Sequence, residues 1–357
     1  MLDARRYAVL GLEDIHAKVL AGDRLTIDDG ERLFACPDIW ALGALAHDAR
    51  TRRHGHVTFY VRNRQINYTN VCVNRCAFCA FSREAGQEGA FVLGVDEVLS
   101  RIEASEPAGL SEVHIVGGCH PDLPFSYYTD LVSAVHERFP WLSVKAFTAV
   151  EIAHFAKLEG VSTQEILSQL KACGLAMLPG GGAEIFAPGV RSRICPEKID
   201  GESWLRISAE AHELGIPTNA TMLYGHLECI RDRLEHLDAL RQLQDHTAGL
   251  VCFIPLPFLT ANSPLARQVS AARRDPGAGS FLDDLRTMAV SRLMLDNVPH
   301  LKAYWVMLSV KAAQVALFFG ANDLDGTVVE EKIGHMAGAE SAQALTRDEL
   351  EAMIRLT

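Results

Sequence analysis

The 357-residue chain is 48% hydrophobic and 22% charged, the balance of an ordinary globular protein, which excludes a collagen, a coiled coil and a disordered tail. Lys and Arg number 34 against 45 Asp and Glu, a formal net charge of −11, so a polyphosphate backbone finds no general attraction and nucleic acid is not expected as a partner. Residues 1–20 carry Asp3, Arg5, Arg6, Glu13, Asp14 and Lys18 with no unbroken apolar run, and the longest apolar stretch, 301–320, is interrupted by Lys302, Lys311 and Gln314. Neither a leader nor a membrane span is expected, and the cytoplasm is the expected compartment.

Residues 8–53 have helical periodicity, and Thr26 followed by Asp28 and Asp29 marks a helix start. From about residue 56 short β-branched or aromatic runs alternate with amphipathic stretches. Strands are expected at 56–60, 65–69, 112–116, 143–148, 174–178, 217–223, 249–255, 302–307 and 315–319. Helices are expected at 95–103, 127–138, 163–172, 201–214, 231–244, 280–296 and 308–313. Strand–helix alternation implies parallel strands with right-handed crossovers, and about eight such units counted from 65–69 match a (β/α)8 TIM-type barrel. The expected organisation is an N-terminal helical extension over 1–55, the barrel over 56–325, and a C-terminal segment over 326–357 packed on it. An open doubly wound sheet is the competing arrangement, and the absence of G-x-G-x-x-G in the first unit tells against its dinucleotide-binding form. The segment 271–280, AARRDPGAGS, reads as a long loop on the C-terminal rim, where barrel enzymes keep their chemistry.

Cysteines are unevenly placed: Cys36, Cys119, Cys173, Cys195, Cys229 and Cys252 stand singly, whereas Cys72, Cys76 and Cys79 crowd into one C-x3-C-x2-C run just after a strand. Reducing surroundings make disulfides unexpected. Three close thiolates suit a soft metal or an iron–sulfur cluster. Structural zinc wants four tetrahedral ligands, usually as two separated pairs, and no fourth ligand follows here. Three cysteines on a four-iron cluster leave one iron open to a non-protein ligand, which is a catalytic arrangement. Buried structural cysteines are the bland alternative.

The run CVNRCAFC at 72–79, with Phe78 just ahead of the third cysteine, resembles the radical S-adenosylmethionine enzymes. The resemblance implies that Cys72, Cys76 and Cys79 hold a 4Fe-4S cluster whose open iron chelates S-adenosylmethionine, and that Phe78 lies along the adenine. In EVHIVGGCH (112–120), Gly117 and Gly118 match the turn that approaches the methionine amine, where backbone must meet ligand. Glu184 in GGGAEIF resembles the residue reaching the ribose hydroxyls, and Thr148 joins the cofactor set. Cys119 stands where an aliphatic residue is expected and reads as a small buried thiol.

Further blocks, among them GGCHPD, ICPEK, NATMLYGH, FIPLPF and HMAGAE, are similar to the aminofutalosine synthase family of the futalosine route to menaquinone. That likeness implies addition of the 5′-deoxyadenosyl radical to 3-[(1-carboxyvinyl)oxy]benzoate, giving 6-amino-6-deoxyfutalosine, methionine and bicarbonate, with reduced flavodoxin or ferredoxin as electron donor. The substrate's two carboxylates call for cations, and Arg191 and Arg193 are the candidate clamp, their planar forks suiting bidentate contact. Tyr68, Asn70, His120 and Tyr224 are further candidates to line the substrate pocket, while His226, His335 and Asn219 are candidates to position substrate or move a proton. Two alternatives stand beside this reading. One is a hydrogen-abstracting relative, cyclic dehypoxanthinylfutalosine synthase or the tyrosine-using half of the deazaflavin synthase; the other is a non-catalytic metal-binding protein.

Overall fold

The first elements are helices Ala4–Val9, Glu13–Ala21, Ile27–Ala35 and Ile39–His54 of a computed structural model that describes residues 4–105, 109–272 and 279–357. The expected start at Thr26 is a reciprocal cap: its hydroxyl accepts from the Asp29 N–H, and the Asp29 carboxylate accepts from the Thr26 N–H. Asp38 caps the next helix by accepting from the Trp40 and Ala41 N–H groups. That helix lies close on the turn Leu317–Phe319; a Cβ on Gly43 would sit 2.6 Å from the Phe319 ring.

Beyond the helices the chain is α/β with parallel pairing. Strand β1 (Phe59–Val61) pairs with β8 (Asp323–Gly326). A second sheet orders β2 (Asn63–Ile66), β3 (Glu112–Ile115) and β4 (Ser143–Ala146), and a third orders β5 (Thr218–Tyr224), β6 (Leu250–Pro257) and β7 (His300–Leu301). Isolated parallel bridges link one sheet to the next: Lys145 to Met177, Leu178 to Thr218, Lys302 to Asp323, and Val329 to Arg64. Every residue of β5 is buried, as strands covered on both faces require. No helix among the described residues is long and apolar enough to cross a membrane.

Helices Val95–Glu103 and Thr163–Ala172 fall on their expected residues, and Phe125–Arg138, Gly201–Glu213, Ile230–Thr247 and Phe281–Met294 close to theirs. The expected strand at 302–307 is instead the short β7 ending at Leu301, followed by helix Trp305–Leu308. At 315–319 the expected strand is the end of helix Val310–Ala316 and a 3-10 turn, with Leu317 and Phe319 buried. A continuous apolar run fits buried helix and buried strand alike. The eighth strand is instead Asp323–Gly326, whose acidic, glycine-ending sequence has low strand propensity. Helix Ala149–Glu159, opened by a capping box between Thr148 and Glu151, was not expected, nor was Pro188–Ile194. Of the rim loop expected at 271–280, residues 273–278 lie outside the described residues.

Candidate active site

The segment between β2 and helix Val95–Glu103 carries the three clustered cysteines as an irregular loop held at several points. Cys72 N–H donates to the Arg83 carbonyl at 3.1 Å, Val73 N–H to Cys119 at 3.0 Å, and Ala77 N–H to Ile194 at 2.8 Å. Cys79 N–H closes a turn onto the Cys76 carbonyl at 3.0 Å. Cys72, Cys76 and Cys79 all line one cavity of about 320 Å³. Cys119 comes to the same place from the end of β3: its N–H donates to Cys72 Sγ at 3.3 Å. Hydrogen bonding from the Cys119 thiol lowers the Cys72 pKa and raises that of Cys119.

Against the cysteine loop runs Gly117-Gly118. A Cβ on Gly118 would lie 2.2 Å from the Val71 carbonyl oxygen, and one on Gly117 would lie 2.7 Å from the Tyr68 ring. The turn is fixed by Glu151, whose carboxylate accepts from Gly117 N–H at 3.1 Å, Tyr68 O–H at 2.8 Å, Thr148 N–H at 2.7 Å and Thr148 O–H at 2.8 Å. Burial pushes the Glu151 carboxyl up to about 7, against these donors, which favour the ionised form.

Glu184 faces the cavity from a left-handed backbone position, φ 47°, and pairs with Lys198 at 2.6 Å. Burial raises its carboxyl, but Lys198, with Arg191 and His226 acting in the same direction, holds it below the usual glutamate value. The Lys198 ammonium also stands 5.2 Å from the centre of the Phe78 ring. Phe78, Thr148, Asn70 and Asn219 line the same cavity. Asn70 spends its amide on the backbone of Gly89 and Phe91, whereas Asn219 Oδ1 is buried without a partner.

The remaining sequence candidates lie elsewhere. Tyr68 is fully buried behind the wall, bonded to Glu151 and packed against Tyr128 and Phe147. Tyr224 is buried with its hydroxyl on Asp284 at 2.8 Å. His226 is buried and satisfied, Nε2 against the Leu223 carbonyl at 2.9 Å and Nδ1 near Glu228; burial lowers its pKa. His120 accepts the Asp122 N–H and is not on the cavity wall. Arg191, expected to clamp substrate, is buried and turned inward: its guanidinium donates to the carbonyls of Gly182, Ala183, Ile185 and Ile199 at 2.6–3.2 Å, which ties down the GGGAEIF loop. Arg193 is exposed on the outer face of its short helix. The cations that do reach the cavity are Lys145, Lys198 and Lys302, accompanied by Gln65 and His114. His114 and Lys145 are not among the residues expected from sequence, although each is a polar residue inside a largely buried strand, EVHI and SVKA.

His335 also lies off the cavity wall, although Gly334 and Ala337 line it. Its Nδ1 stands 2.7 Å from the Glu331 carbonyl and 3.3 Å from Glu331 Oε2, and its Nε2 is 3.1 Å from the Ser341 carbonyl. Hydrogen bonding to the Glu331 carboxylate pushes the imidazole from 6.5 up to about 9, against burial. A histidine whose folded pKa is raised contributes its full stabilisation below the unfolded value and loses it as pH rises through the folded one. The melting temperature of the wild type should therefore exceed that of His335→Gln most below pH 6.5, and the gap should close by about pH 9. A gap constant from pH 6 to pH 10 would show that the imidazolium contributes nothing (range set by the same linkage, roughly).

Among the described residues no three His, Cys, Asp or Glu side chains converge as they would on a single metal ion. An iron–sulfur cubane asks for something else, since each thiolate binds a different iron. Three thiols lining one cavity, beside a glycine turn with no room for a Cβ, fit such a cluster with a small ligand next to it.

Residues 66–240 match the radical SAM superfamily, and residues 247–356 match the CofH/MqnC C-terminal region. The chain is 48% identical over 340 residues to the aminodeoxyfutalosine synthase of Thermus thermophilus, covering 95% of this chain and 90% of that one. It is 42% identical over 344 residues to a 5-amino-6-(D-ribitylamino)uracil–L-tyrosine 4-hydroxyphenyl transferase of Methanoculleus marisnigri, covering 96% and 93%. Among solved structures, methylornithine synthase aligns with a TM-score of 0.71 at 18% identity, covering 96% of this chain and 94% of that one, a likeness of fold.

Proposed function

Because the chain belongs to the radical SAM superfamily, in the branch with the CofH/MqnC C-terminal region, and so uses a 4Fe-4S cluster and S-adenosylmethionine, we propose that it is an aminodeoxyfutalosine synthase. It joins the 5′-deoxyadenosyl carbon of S-adenosylmethionine to 3-[(1-carboxyvinyl)oxy]benzoate and, with water, yields 6-amino-6-deoxyfutalosine, methionine and bicarbonate. The observation that carries this reading is the likeness to the Thermus thermophilus relative, which runs through the cysteine loop and the C-terminal region alike. The cavity is compatible with it: the cysteine loop, the glycine turn and buried cations share one chamber.

In this reading Cys72, Cys76 and Cys79 hold the cluster, which when bound supplies the electron that cleaves the sulfonium. Gly117 and Gly118 leave space for the methionine end, Phe78 flanks the adenine, and Glu184, kept ionised by Lys198, accepts from the ribose hydroxyls. Val150, Ile254, Leu256, Phe258 and Met307 line the chamber and exclude water, which a carbon radical on its way to a double bond requires. The succession of parallel bridges that returns from Val329 to Arg64 supports a closed (β/α)8 barrel around this chamber. A reduced flavodoxin or ferredoxin in the cytoplasm is the expected electron source.

The Methanoculleus marisnigri relative favours a second reading, a transferase acting on tyrosine. One anaerobic experiment separates the two. Reconstituted, reduced protein is mixed with S-adenosylmethionine and either 3-[(1-carboxyvinyl)oxy]benzoate or tyrosine with 5-amino-6-(D-ribitylamino)uracil, and products are read by mass spectrometry. A product containing both adenosyl and benzoate parts is expected. Free 5′-deoxyadenosine with untouched benzoate, together with turnover of tyrosine, would replace the first reading by the second.

A further inference from the structure

The inner faces of β2, β3 and β4 carry a polar row. Gln65 is the register partner of His114, and His114 is the register partner of Lys145, so the three side chains lie abreast on one face. Lys302, which follows β7 and bridges to Asp323 of the neighbouring β8, joins them: all four line the cavity, as does Asn219. A barrel interior at this depth is ordinarily filled by branched apolar residues, so the row calls for a reason.

Its hydrogen-bonding is incomplete. An ammonium has three donors. Lys145 meets Glu112 at 2.6 Å; Lys302 donates to Asp325 at 2.6 Å and stands 3.5 Å from Asp323. Each ammonium therefore keeps N–H donors to spare. Glu112 and Asp323 are not on the cavity wall, so of the three carboxylates that pair with these lysines only Asp325 is on it; the other carboxylates of the wall are Glu151, Glu184 and Glu331. His114, held far below its usual pKa by burial and by the two lysines, is a neutral imidazole, and its Nε2 is buried without a partner. Asn219 Oδ1 is likewise unpartnered. Orphaned buried polar atoms are costly to maintain, and here they gather around the same floor.

We propose that Lys145, Lys302 and His114 form the subsite for a carboxylate of the substrate, at the end of the cavity away from the cysteine loop. The proposal rests on the reading of this chamber as the active site and moves substrate recognition from Arg191 and Arg193 to the floor. Gly118 lies four residues beyond His114 and three beyond the end of β3, at most about 13 Å along the chain. A substrate whose reacting double bond faces the cysteine end thus presents its opposite end to the lysines. For 3-[(1-carboxyvinyl)oxy]benzoate that end is the ring carboxylate; for tyrosine it is the amino-acid carboxylate.

Anaerobic titration calorimetry on the reconstituted protein tests this with a ligand pair: 3-[(1-carboxyvinyl)oxy]benzoate and the analogue whose ring carboxylate is a carboxamide. The wild type should prefer the carboxylate by roughly 30-fold or more, the scale of a buried charge-assisted contact. Lys145→Gln and Lys302→Gln should each lose most of that preference while binding the carboxamide within about threefold of wild type. A purely structural lysine would weaken both ligands together. Should a lysine variant not fold, His114→Leu, which removes a group without a partner, should also cut the preference. Equal wild-type affinities, or parallel losses in the variants, would overturn the subsite. If the wild type binds neither benzoate, the functional reading falls, and the subsite is decided by tyrosine against tyramine under the same criteria.

Discussion

Cys76→Ser protein, reconstituted anaerobically with iron and sulfide, should hold little cluster and release 5′-deoxyadenosine from S-adenosylmethionine at least about 10³-fold more slowly than wild type, a barrier change of roughly 4 kcal/mol. Serine offers a hard oxygen where a soft thiolate is needed, and each cysteine serves its own iron, so the other two cannot compensate. Cys76 is the buried member of the three, and its loop is held by backbone bonds on both sides, Val73 N–H to the Cys119 carbonyl before it and Ala77 N–H to the Ile194 carbonyl after it. The substitution should therefore leave the fold intact and act on the cluster alone. Cys229→Ser, exposed and off the cavity wall, is the control and should match wild type. Iron content and visible absorption read the first effect, and chromatography of the nucleoside reads the second. Full iron and full cleavage in Cys76→Ser would end the assignment of the cluster to this loop.

Gly118→Ala should be almost as damaging by a different route. The added methyl would stand 2.2 Å from the Val71 carbonyl oxygen and 2.9 Å from Cys72 Cβ. Neither is the free end of a flexible side chain, so the cysteine loop itself must move. Overpacking of this kind costs about 1–3 kcal/mol, and the displaced segment carries Cys72. Both a lower melting temperature and a lower cluster content are expected. Gly189→Ala, in a helix with nothing within 4 Å of the added carbon, should be neutral or slightly stabilising. If Gly118→Ala binds a full cluster at wild-type stability, the close approach of this turn to the loop has no consequence for the site.

These two predictions lean on residues that could be read directly from the chain, because their meaning is local. The three cysteines fall within one loop of the sequence, the glycine pair follows a recognisable strand, and Thr26 caps its helix through a contact three residues away. The arginine clamp was not of this kind. Arg191 and Arg193 lie near Glu184 in sequence, but two positions on a short helix point in different directions: one guanidinium turns in to satisfy loop carbonyls and the other faces solvent. Nearness along the chain could not decide which, because that depends on carbonyls left unpaired by the GGGAEIF turn.

The amino-acid sequence by itself determined the α/β alternation, most of the long helices, the cysteine loop and, through its resemblance, the family and its cofactors. It did so because periodicity, caps and close ligand spacing are short-range properties. Only the tertiary structure decided that 315–319 turns rather than extends, that Tyr68, Tyr224 and His226 serve the core, and that Glu151 anchors the Gly117 turn. It alone set Gln65, His114 and Lys145, drawn from three strands, in one row on the cavity that Lys302 also lines. Strand register and burial are fixed by contacts between residues far apart in the chain, and no local pattern carries that information.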